Sequence, residues 1–583
     1  MPVRHSSGRA ESKQRVAPKT ARPEPLTNHA IARQLLTLAQ ALQASGDNPF
    51  KVRAYRRAAE TVAGSAESVA DWAAAGRDLT RLPGVGKGIA ATLQEIVSRG
   101  GQLAQLDHLM ASAPPEVVAT HAYPRLDPQK VARAFQKLGL KTADELAEAL
   151  ATGRLSPLGR DLEDHVRRAL SDTNPLLLIH ADALARRLVQ HLIASREVPR
   201  VEVVGAVRRR VEVIEEIELL VDRAEWETAV ARLARFGGGL PPVTVRPDRA
   251  TFQLPASVLV TLHGGASEKW GLALILTTGA PAHLDKLESH TGPLSRWTRK
   301  GRPLKTEEEA YAQHGLAWIP PELREGREEV ELAARGKLPQ LVERSEIRGE
   351  LHAHTVASDG ANTIEQMVVA AKALGYRYLG VTDHSESLKI AGGLTVRRLR
   401  SQLEKIDRLN QTLSGFRILK SAEVDILADG RLDYPDEVLR ELDYTICSIH
   451  SRFRLSGQEQ TERLLRAMDH PAFTILGHAT GRKLLRRPGY TFDFERVLAH
   501  ARSRGCFFEI NASPERLDLG VEQVRAAAAS GVKIAVCTDA HHVRELDWMA
   551  GGVEVARRAG LSRADVLNTL PWSRLQKLLR RGR

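Results

Sequence analysis

Apolar and polar positions alternate in blocks along the second half of the chain. Short apolar runs of β-forming residues recur there, separated by stretches with the three- and four-residue spacing of an amphipathic helix. The apolar runs lie at 378–382, 416–419, 444–449, 473–477, 506–510 and 533–538, and helix-like stretches include 363–374, 396–409 and 521–529. Strands that alternate with helices favour βα units joined in a parallel sheet.

A side chain that can bind metal stands at the end of each apolar run. His352 and His354 begin the series, and residues two apart on a strand face the same side. Asp359 follows in a turn beside Gly360. The later runs end in Asp383-His384, Glu423 with Asp425, His450, His478, Asn511, and Asp539 with His541. Functional groups at the carboxyl ends of parallel strands are typical of a barrel whose site is its open end.

Imidazole and carboxylate side chains in this number indicate a cluster of divalent ions. Such ligands suit zinc and manganese, and a shared carboxylate brings two ions close together. Clustered ions lower the pKa of a bound water and neutralise the charge of a phosphoryl group during transfer. The predicted substrate is therefore a phosphomonoester or a phosphodiester. Asp425 and Glu509 either support the ligands from behind or are simply solvated.

The first half of the chain consists of a basic arm followed by helical patterns. Residues 1–25 are rich in Arg, Lys, Pro and Ser and predict a disordered basic arm with salt-sensitive affinity for phosphate. Positions 31, 35, 38 and 42 then form the apolar face of a helix. A cationic helix at 48–58 and the turn LPGVGKGIA at 82–90 follow. Glycines let such a turn approach a nucleic-acid backbone, and amides at the next helix start bind phosphate without reading sequence.

Composition and charge narrow the class of protein. The 583 residues are 43% hydrophobic and 27% charged, which predicts several globular domains. A formal net charge of +13 favours a polyanionic partner. Because the sequence has neither a membrane-spanning apolar stretch nor a signal-peptide core, we expect a cytoplasmic, nucleoid-associated protein without membrane contact. Three cysteines within apolar runs predict buried thiols rather than a disulfide.

The C-terminal region carries the motifs LHAHT…SDG, VTDHS, AEVD, SIHS, GHATGR, EINA and TDAH. On these motifs it resembles the PHP (polymerase and histidinol phosphatase) phosphoesterases. The resemblance implies a distorted seven-stranded (β/α)7 barrel that holds three ions of Mn²⁺ and/or Zn²⁺. By resemblance, the ligands are His352, His354, Glu423 and Asp539 for the first ion, Glu423, His450 and His478 for the second, and Asp359, His384 and His541 for the third.

The N-terminal motifs resemble the small domain of family X DNA polymerases, which contains a helix-hairpin-helix and grips the 5′-phosphate of a gap. The resemblance implies DNA contacts by Lys51, Arg53, Arg56, Gly84, Gly86, Lys87 and Gly88. Thr92 stands where relatives with lyase activity have a Schiff-base lysine, so lyase activity is not expected. Two later hairpins of the family have lost most of their glycines at 123–130 and 158–162, and we expect only helices there.

The central region resembles the palm of the same polymerases but departs from its motifs. The family's G-S-x-R-R-G motif is GAVRRR at 205–210, and its nucleotide loop is TGA at 278–280. Glu216 and Glu218 stand in place of the paired aspartates, and Thr261 stands near the third. Two-metal transfer needs carboxylates that hold both ions in line with the attacking oxygen. We therefore expect polymerase activity to be weak or lost, with Mg²⁺ and dNTPs bound only if this site is functional.

Together these features predict a multidomain α plus α/β protein. We expect a basic arm at 1–25, a helical helix-hairpin-helix domain at 26–172, a palm-like α/β domain at 173–338 and a PHP barrel at 345–583. The resemblance to these two families implies the activity of a metal-dependent DNA 3′-end phosphoesterase or 3′→5′ exonuclease in base-excision or gap repair. The partner is gapped or 3′-recessed DNA, and the protein is expected to be a monomer. Arg452, Arg482 and Arg516 either clamp the phosphate or are structural ion-pair partners.

Three other functions remain open. Glu216 and Glu218 support an active gap-filling polymerase. The PHP motifs alone support a phosphatase for small molecules such as histidinol phosphate, and the basic N-terminal region alone supports a DNA-binding adaptor without activity. The complete ligand set argues against the adaptor, and the hairpin and basic arm argue against the small-molecule phosphatase.

Overall fold

The computed structural model describes residues 26–579 except 122, 124, 172–173, 255–256 and 298–302. The predicted basic arm at 1–25 lies outside the described residues. A helical region, a mixed α/β region and a barrel follow one another along the chain. Within the described part, every helix is too short or too polar to cross a bilayer.

The N-terminal region is helical. Its helices are α1 Asn28–Ala44, α2 Pro49–Ala63, α3 Val69–Ala74, α4 Lys87–Ser98, α5 Ala104–Ala111, α6 Pro115–Thr120, α7 Pro128–Leu138, α8 Ala143–Ala151 and α9 Arg160–Leu170. The predicted apolar face at 31, 35, 38 and 42 is fully buried within this region. Local sequence sets the helix starts, because the side chain of Thr27 accepts from the amide of Ala30 and that of Asn48 accepts from the amide of Phe50.

A second helical core lies around α7, α8 and α9. Leu126, Val131, Leu146 and Val166 are all fully buried there. The segments 123–130 and 158–162 contain the starts of α7 and α9. The expected helices are therefore present where the hairpin glycines are missing.

The central region surrounds a five-stranded sheet. Its strands are β1 Leu176–Leu177, β2 Val201–Val204, β3 Val213–Ile214, β4 Glu216–Asp222, β5 Pro242–Arg246, β6 Arg249–Leu254 and β7 Val258–Gly265, and its helices are α10 Leu178–Ile193, α11 Gly205–Arg208, α12 Trp226–Leu233, α13 Trp270–Thr278, α14 Pro281–Thr291, α15 Glu307–Ala312 and α16 Glu329–Ala334. The sheet order is β2-β4-β7-β6-β5, and β1 pairs with β3 separately. On β4, Ile217 and Leu219 are buried while Glu216 and Glu218 occupy the opposite face, as strand alternation requires.

The C-terminal region alternates strands with helices. Its strands are β8 Gly349–Glu350, β9 Tyr378–Val381, β10 Arg417–Asp425, β11 Tyr444–Ser448, β12 Ile475–Leu476, β13 Phe507–Asn511 and β14 Ile534–Cys537. Its helices are α17 Ile364–Ala373, α18 Val396–Thr412, α19 Asp436–Leu439, α20 Gly457–Met468, α21 Phe494–Arg504, α22 Val521–Ala529, α23 Met549–Arg558 and α24 Trp572–Leu579. The seven strands pair in parallel in the order β14-β13-β12-β11-β10-β9-β8.

The sheet closes nearly completely on itself. A parallel bridge joins Ala353 after β8 to Ala540 after β14, and the amide of His354 donates to the carbonyl of Ala540 at 2.8 Å. One apolar core fills the barrel interior and a larger one lies between strands and helices. The predicted seven-stranded parallel barrel is confirmed, and its three cysteines are buried thiols that are not in disulfides.

Ion pairs join the central region to the barrel. Arg210 binds Asp182 at 2.7 Å and Glu554 of α23 at 2.6 Å. Arg482, in the loop after β12, binds Glu212 at 2.9 Å. These pairs lie in a partly buried seam where water screens them less than on an open surface. The exact domain boundaries stay a prediction.

Two adjacent glycines of α23 test how tightly this helix packs on the barrel. A β-carbon at Gly552 would lie 2.6 Å from Val536 Cγ1 and 2.8 Å from Ala512 Cβ, whereas one at Gly551 meets nothing closer than 3.7 Å. We expect Gly552→Ala to lower the free energy of unfolding of the barrel by about 1–3 kcal/mol through overpacking. Gly551→Ala is the matched control and should leave it unchanged or raise it by up to about 1 kcal/mol. Thermal unfolding of both variants measures the difference, and equal midpoints would contradict the packing.

Candidate metal centre and DNA-binding elements

The nine predicted metal ligands converge at the carboxyl ends of the barrel strands. Nε2 of His352 lies 3.5 Å from Oε2 of Glu423 and 3.6 Å from Oδ1 of Asp539. Nε2 of His354 lies 3.6 Å and 3.1 Å from the same two oxygens. Strands β8, β10 and β14 thus direct four potential ligand atoms at one point.

Two further groups extend this cluster. Oε1 of Glu423 lies 3.4 Å from Nε2 of His450 and 2.9 Å from Nε2 of His478. Oδ1 of Asp359 lies 3.5 Å from Nε2 of His384 and 3.4 Å from Nε2 of His541. The structure therefore brings all nine residues together, but its groups overlap more than the implied sets do. His354 lies with His352 and Asp539 and also with Asp359, His384 and His541, and His384 lies with Glu423 and His450 as well.

The donor set fits metal ions better than it fits a hydrogen-bond network. Four atoms that face the first set or Glu423 are buried and make no hydrogen bond to any described residue: Nε2 of His352, Nε2 of His354, Nδ1 of His384 and Oε2 of Glu423. Buried polar atoms are almost always paired, so atoms like these mark a missing partner. Ligands about 2.1 Å from a tetrahedral ion are separated by roughly 3.4 Å, which matches the spacing in the first set.

Carboxylates behind the ligands hold two of the histidines. Nδ1 of His352 donates to Glu509 at 2.6 Å, and Nδ1 of His450 donates to Asp425 at 2.8 Å. Glu509 is fully buried and Asp425 nearly so. Each carboxylate fixes the tautomer and ring orientation of its histidine, which leaves Nε2 free for a metal. Of the two alternatives left open by the sequence, the structure therefore favours the supporting role.

Burial and carboxylates act in opposite directions on these histidines. Burial lowers the pKa of His384, but Glu423 and Asp359 raise it to about 10 overall. Burial also lowers the pKa of His450, but Glu423 and Asp425 raise it to about 9 overall. In turn, the neighbouring histidines hold the pKa of Glu423 well below its usual value despite complete burial. The site is therefore built to hold positive charge beside ionised carboxylates.

Two buried acids near the ligands were given no role by the sequence patterns. Asp383 accepts hydrogen bonds from Thr355 and Ser358, which fixes the loop that carries Asp359. Glu350 accepts from the amide and hydroxyl of Thr538, and so links the first and last strands where the barrel closes. Burial raises the pKa of Glu350 to about 7. The available signal for Glu350 was an acid two residues before the first ligand, His352.

The predicted DNA-binding hairpin has an open backbone. Gly84 has φ 74°, and Gly86 precedes α4 without any side-chain cap. A β-carbon at Gly84, Gly86 or Gly88 would meet no described atom within 4 Å, so this face is free for a close neighbour. The uncapped amides at the start of α4 are suited to a phosphate. Lys87, in the first turn of α4, is exposed beside them.

The predicted cations of α2 differ in their surroundings. Arg53 is exposed and its guanidinium lies 4.5 Å from the ring centroid of Phe50, and Lys51 pairs with Asp47 at 2.9 Å. Arg56 donates to Gln43 at 2.5 Å and is largely buried, so it is less available than the other two. Thr92 is also buried and bonds to the hydroxyl of Tyr55 at 3.1 Å.

Comparison with known proteins agrees with this geometry. A helix-hairpin-helix domain model matches residues 26–102, and a PHP domain model matches residues 350–513. The DNA polymerase/3′-5′ exonuclease PolX of Bacillus subtilis (strain 168) is 33% identical over 576 residues, which cover 95% of this chain and 99% of that protein. The chain belongs to the PolX family. It is therefore an enzyme of a DNA polymerase and exonuclease family.

Several shorter relatives match only the C-terminal part of this PolX-family chain. A probable phosphatase of Thermoanaerobacter sp. (strain X514) is 31% identical over 231 residues, or 38% of this chain and 89% of that protein. Another from Clostridium acetobutylicum is 29% identical over 202 residues, or 33% of this chain and 78% of that protein. Part of this chain is thus similar in sequence to shorter proteins that are named probable phosphatases.

The three arginines predicted at the barrel mouth have different partners. Arg482 donates to Glu212 and to the carbonyls of Arg516 and Leu517, which favours the structural alternative for this residue. Arg516 is mostly buried, and its Nε lies 3.7 Å from Oδ2 of Asp539. Arg452 is exposed. Arg516 and Arg452 thus remain the candidates for a phosphate contact.

The palm carboxylates are bound to their neighbours in the sheet. Glu216 accepts from the hydroxyl of Thr261, which is fully buried, and Nε2 of His263 lies 2.9 Å from Glu218. Gly205 allows Glu218 to lie against the main chain, because a β-carbon there would overlap its carboxylate. Across the described residues, groups of three potential metal ligands occur only at the barrel mouth.

The arginines of the GAVRRR motif are also paired. Arg208 forms a two-pronged bond with Glu307 at 2.7 and 2.8 Å. Arg209 lies 3.2 Å from Glu325, which in turn pairs with Arg558 of the barrel at 3.1 Å. Together with Arg210, this motif therefore links the palm-like sheet to the neighbouring helices and to the barrel.

Glu509 offers a test of the metal centre that does not depend on DNA. We expect Glu509→Gln to weaken retention of Mn²⁺ or Zn²⁺ about 10- to 100-fold, because the amide orients His352 less firmly than the carboxylate does. Metal content after dialysis against a competing chelator measures this. Asp493→Asn is the matched control, since Asp493 caps α21 and contacts no predicted ligand. Equal metal content in the two variants would contradict the supporting role of Glu509.

Proposed function

We propose that this protein is a metal-dependent DNA 3′-end phosphoesterase and 3′→5′ exonuclease that acts in base-excision or gap repair. The observation that carries the proposal is the convergence of nine ligand-type side chains at the mouth of the barrel. Family membership and the open hairpin both support DNA as the substrate.

The cofactor is proposed to be a group of three Mn²⁺ and/or Zn²⁺ ions held by these nine residues. Such ions lower the pKa of a bound water and neutralise negative charge on a phosphoryl group. Glu509 and Asp425 keep His352 and His450 oriented, and Glu423 is shared between two ligand sets. Arg516, near Asp539, and the exposed Arg452 are proposed to contact the scissile phosphate or its neighbour.

The remaining regions are proposed to bring DNA to this site. The hairpin at 82–90, with Lys51, Arg53 and Lys87, binds the phosphate backbone at a gap or a 3′-recessed end. The palm-like region at 173–338 holds the duplex, and the arm at 1–25 adds affinity that depends on salt. We propose that the protein acts as a monomer on the nucleoid in the cytoplasm.

Polymerase activity is proposed to be weak or lost. Two-metal nucleotidyl transfer needs closely placed carboxylates, but Thr261 replaces one of them and Glu216 and Glu218 are hydrogen-bonded to their neighbours. The second candidate function is an active gap-filling polymerase that binds Mg²⁺ and dNTPs. It is favoured by the Bacillus subtilis relative, whose name includes DNA polymerase.

The central test uses gapped and 3′-recessed DNA with Mn²⁺. We expect the wild-type protein to shorten the 3′ strand, and Glu423→Gln and His450→Ala each to reduce the rate about a hundredfold or more, because misplaced ligands disturb the whole site. His500→Ala is the matched control, since His500 lies on the outer helix α21 and pairs with Asp469. Shortening that persists in both ligand variants would overturn the proposal.

Adding dNTPs to the same reaction tests the palm. We expect shortening without templated extension, because the uncharged Thr261, which bonds to Glu216, stands near the position of the family's third carboxylate. Extension by wild-type protein, and by a His352→Ala variant with a disabled barrel, would establish the polymerase instead. Turnover of histidinol phosphate without any effect on DNA would identify a small-molecule phosphatase.

A further inference from the structure

The loops at the barrel mouth carry opposite charge on its two sides. The loops after the neighbouring strands β11, β12 and β13 span 449–456, 477–493 and 512–520 and hold seven Lys and Arg residues against three Asp and Glu. The loops after β8, β9, β10 and β14 hold three Lys and Arg residues against eight Asp and Glu. An anionic polymer is therefore attracted more strongly to the first group of loops, the cationic side, than to the second, the acidic side.

The acids within the loops of the cationic side are too few to balance its cations. Of its three acids, Asp518 is fully buried and Asp493 caps α21. Glu515 lies 3.8 Å from Lys483 and 3.1 Å from Arg486. Two further cations have acidic partners outside these loops, since Arg482 binds Glu212 and Arg516 lies 3.7 Å from Asp539. The cationic side therefore keeps an excess of positive charge.

A tight hairpin at 483–487 presents three of these cations. The amide of Lys483 donates to the carbonyl of Arg487, and the amide of Arg487 donates back, both at 2.8 Å. The amide of Leu484 donates to the carbonyl of Glu515 at 2.7 Å. The hairpin is thereby fixed on the loop whose Arg516 lies 3.7 Å from the ligand Asp539.

These cations are close enough to repel one another. Burial lowers the pKa of Lys483, and Arg516, Arg486 and Arg487 lower it further against the opposing effect of Glu515. Burial and Arg516 also lower the pKa of Arg487. Like charges held together by a rigid loop are stabilised by an anion that binds between them.

The hairpin also approaches the N-terminal helical region. Burial lowers the pKa of Arg56 on α2, and the positive charge of Arg486 lowers it further, although Asp127 opposes both. At its other end α2 contacts the DNA-binding turn, where the hydroxyl of Thr61 donates to the carbonyl of Pro83. Positive charge therefore continues from α2 through the hairpin at 483–487 to Arg516 at the metal centre.

An aromatic ring lies beside this path. The guanidinium of Arg487 lies 4.4 Å from the ring centroid of Phe453, in the loop after β11. Phe453 is partly exposed. Aromatic rings that alternate with cations are typical of surfaces for single-stranded nucleic acid, where unpaired bases stack and phosphates are neutralised.

We infer that the cationic side is a binding track for the single-stranded 3′ end of DNA, with Arg486 and Arg487 as its central phosphate contacts. The strand approaches from α2, crosses the hairpin at 483–487 and reaches the metal centre beside Arg516. The inference rests on the proposed exonuclease function and adds the path and the strandedness of its substrate.

The test removes two charges from each side of the same mouth. In the full-length protein, Arg486→Ala/Arg487→Ala removes them from the cationic side, and Arg431→Ala/Arg544→Ala removes two exposed arginines from the acidic side. Binding of a labelled single-stranded oligonucleotide is measured by fluorescence anisotropy over a range of salt concentrations. Shortening of a 3′ overhang and hydrolysis of bis(p-nitrophenyl) phosphate are measured with Mn²⁺.

We expect the first double variant to bind the oligonucleotide about tenfold more weakly at low salt, and its plot of log affinity against log salt to be less steep by about 1.4, or about 0.7 for each lost phosphate contact. Its kcat/KM for the overhang should fall about tenfold relative to that for the small diester. The control double variant should change each quantity less than about twofold.

The outcomes separate this inference from the proposed function. Equal losses in both double variants, or no change in the salt dependence of the first, would overturn the track. If the wild-type protein hydrolyses neither the small diester nor DNA, the proposed function fails instead. Far-UV circular dichroism and metal content, equal to those of the wild type, exclude misfolding as the cause of a loss.

Discussion

Glu423 is a nearly fully buried carboxylate, and the barrel mouth is organised around its charge. Nitrogen atoms of five histidines lie between 2.7 and 3.6 Å from its two oxygens. A buried anion is unfavourable unless positive charge surrounds it. The strands that end here must therefore supply side chains that either carry positive charge or bind cations. The near closure of the barrel between Ala353 and Ala540 brings the first and last of those strands to the same point.

Because the ligands come from six strands and their loops, the site depends on structure well outside it. Glu350 ties β8 to the end of β14, and Glu509 and Asp425 hold two imidazoles in place. The palm-like region takes part as well, since Glu212 binds the arginine that supports the loop of Arg516. In this protein the palm-like region and the barrel are joined by charge pairs as well as by the chain itself.

The distribution of charge distinguishes the two halves of the mouth. Most of the acids lie in the loops after β8, β9, β10 and β14, whereas most lysines and arginines lie in the loops of three neighbouring strands, which also carry His450 and His478. Segregated charge of this kind orients a polyanion relative to the metal centre. Positive charge on the barrel also acts on the helical region, where burial and then the charge of Arg486 lower the pKa of Arg56 on α2.

The sequence by itself was sufficient for the order of strands and helices, the parallel barrel, the apolar face of α1 and the residue types of the ligands. These features depend on local periodicity and on short motifs, which are visible without knowing what lies nearby in space. Arg482 is different, because the sequence alone allowed it to be either a phosphate clamp or an ion-pair partner.

Only the tertiary structure decided that Arg482 meets Glu212, which is 270 residues away along the chain. It likewise showed that Glu509 and Asp425 lie behind histidines, that Arg56 turns toward Gln43, and that Glu216 bonds to Thr261. The reason is physical: the partner of a charged side chain is set by how remote segments pack against each other, and a local pattern of residues carries no record of that distance.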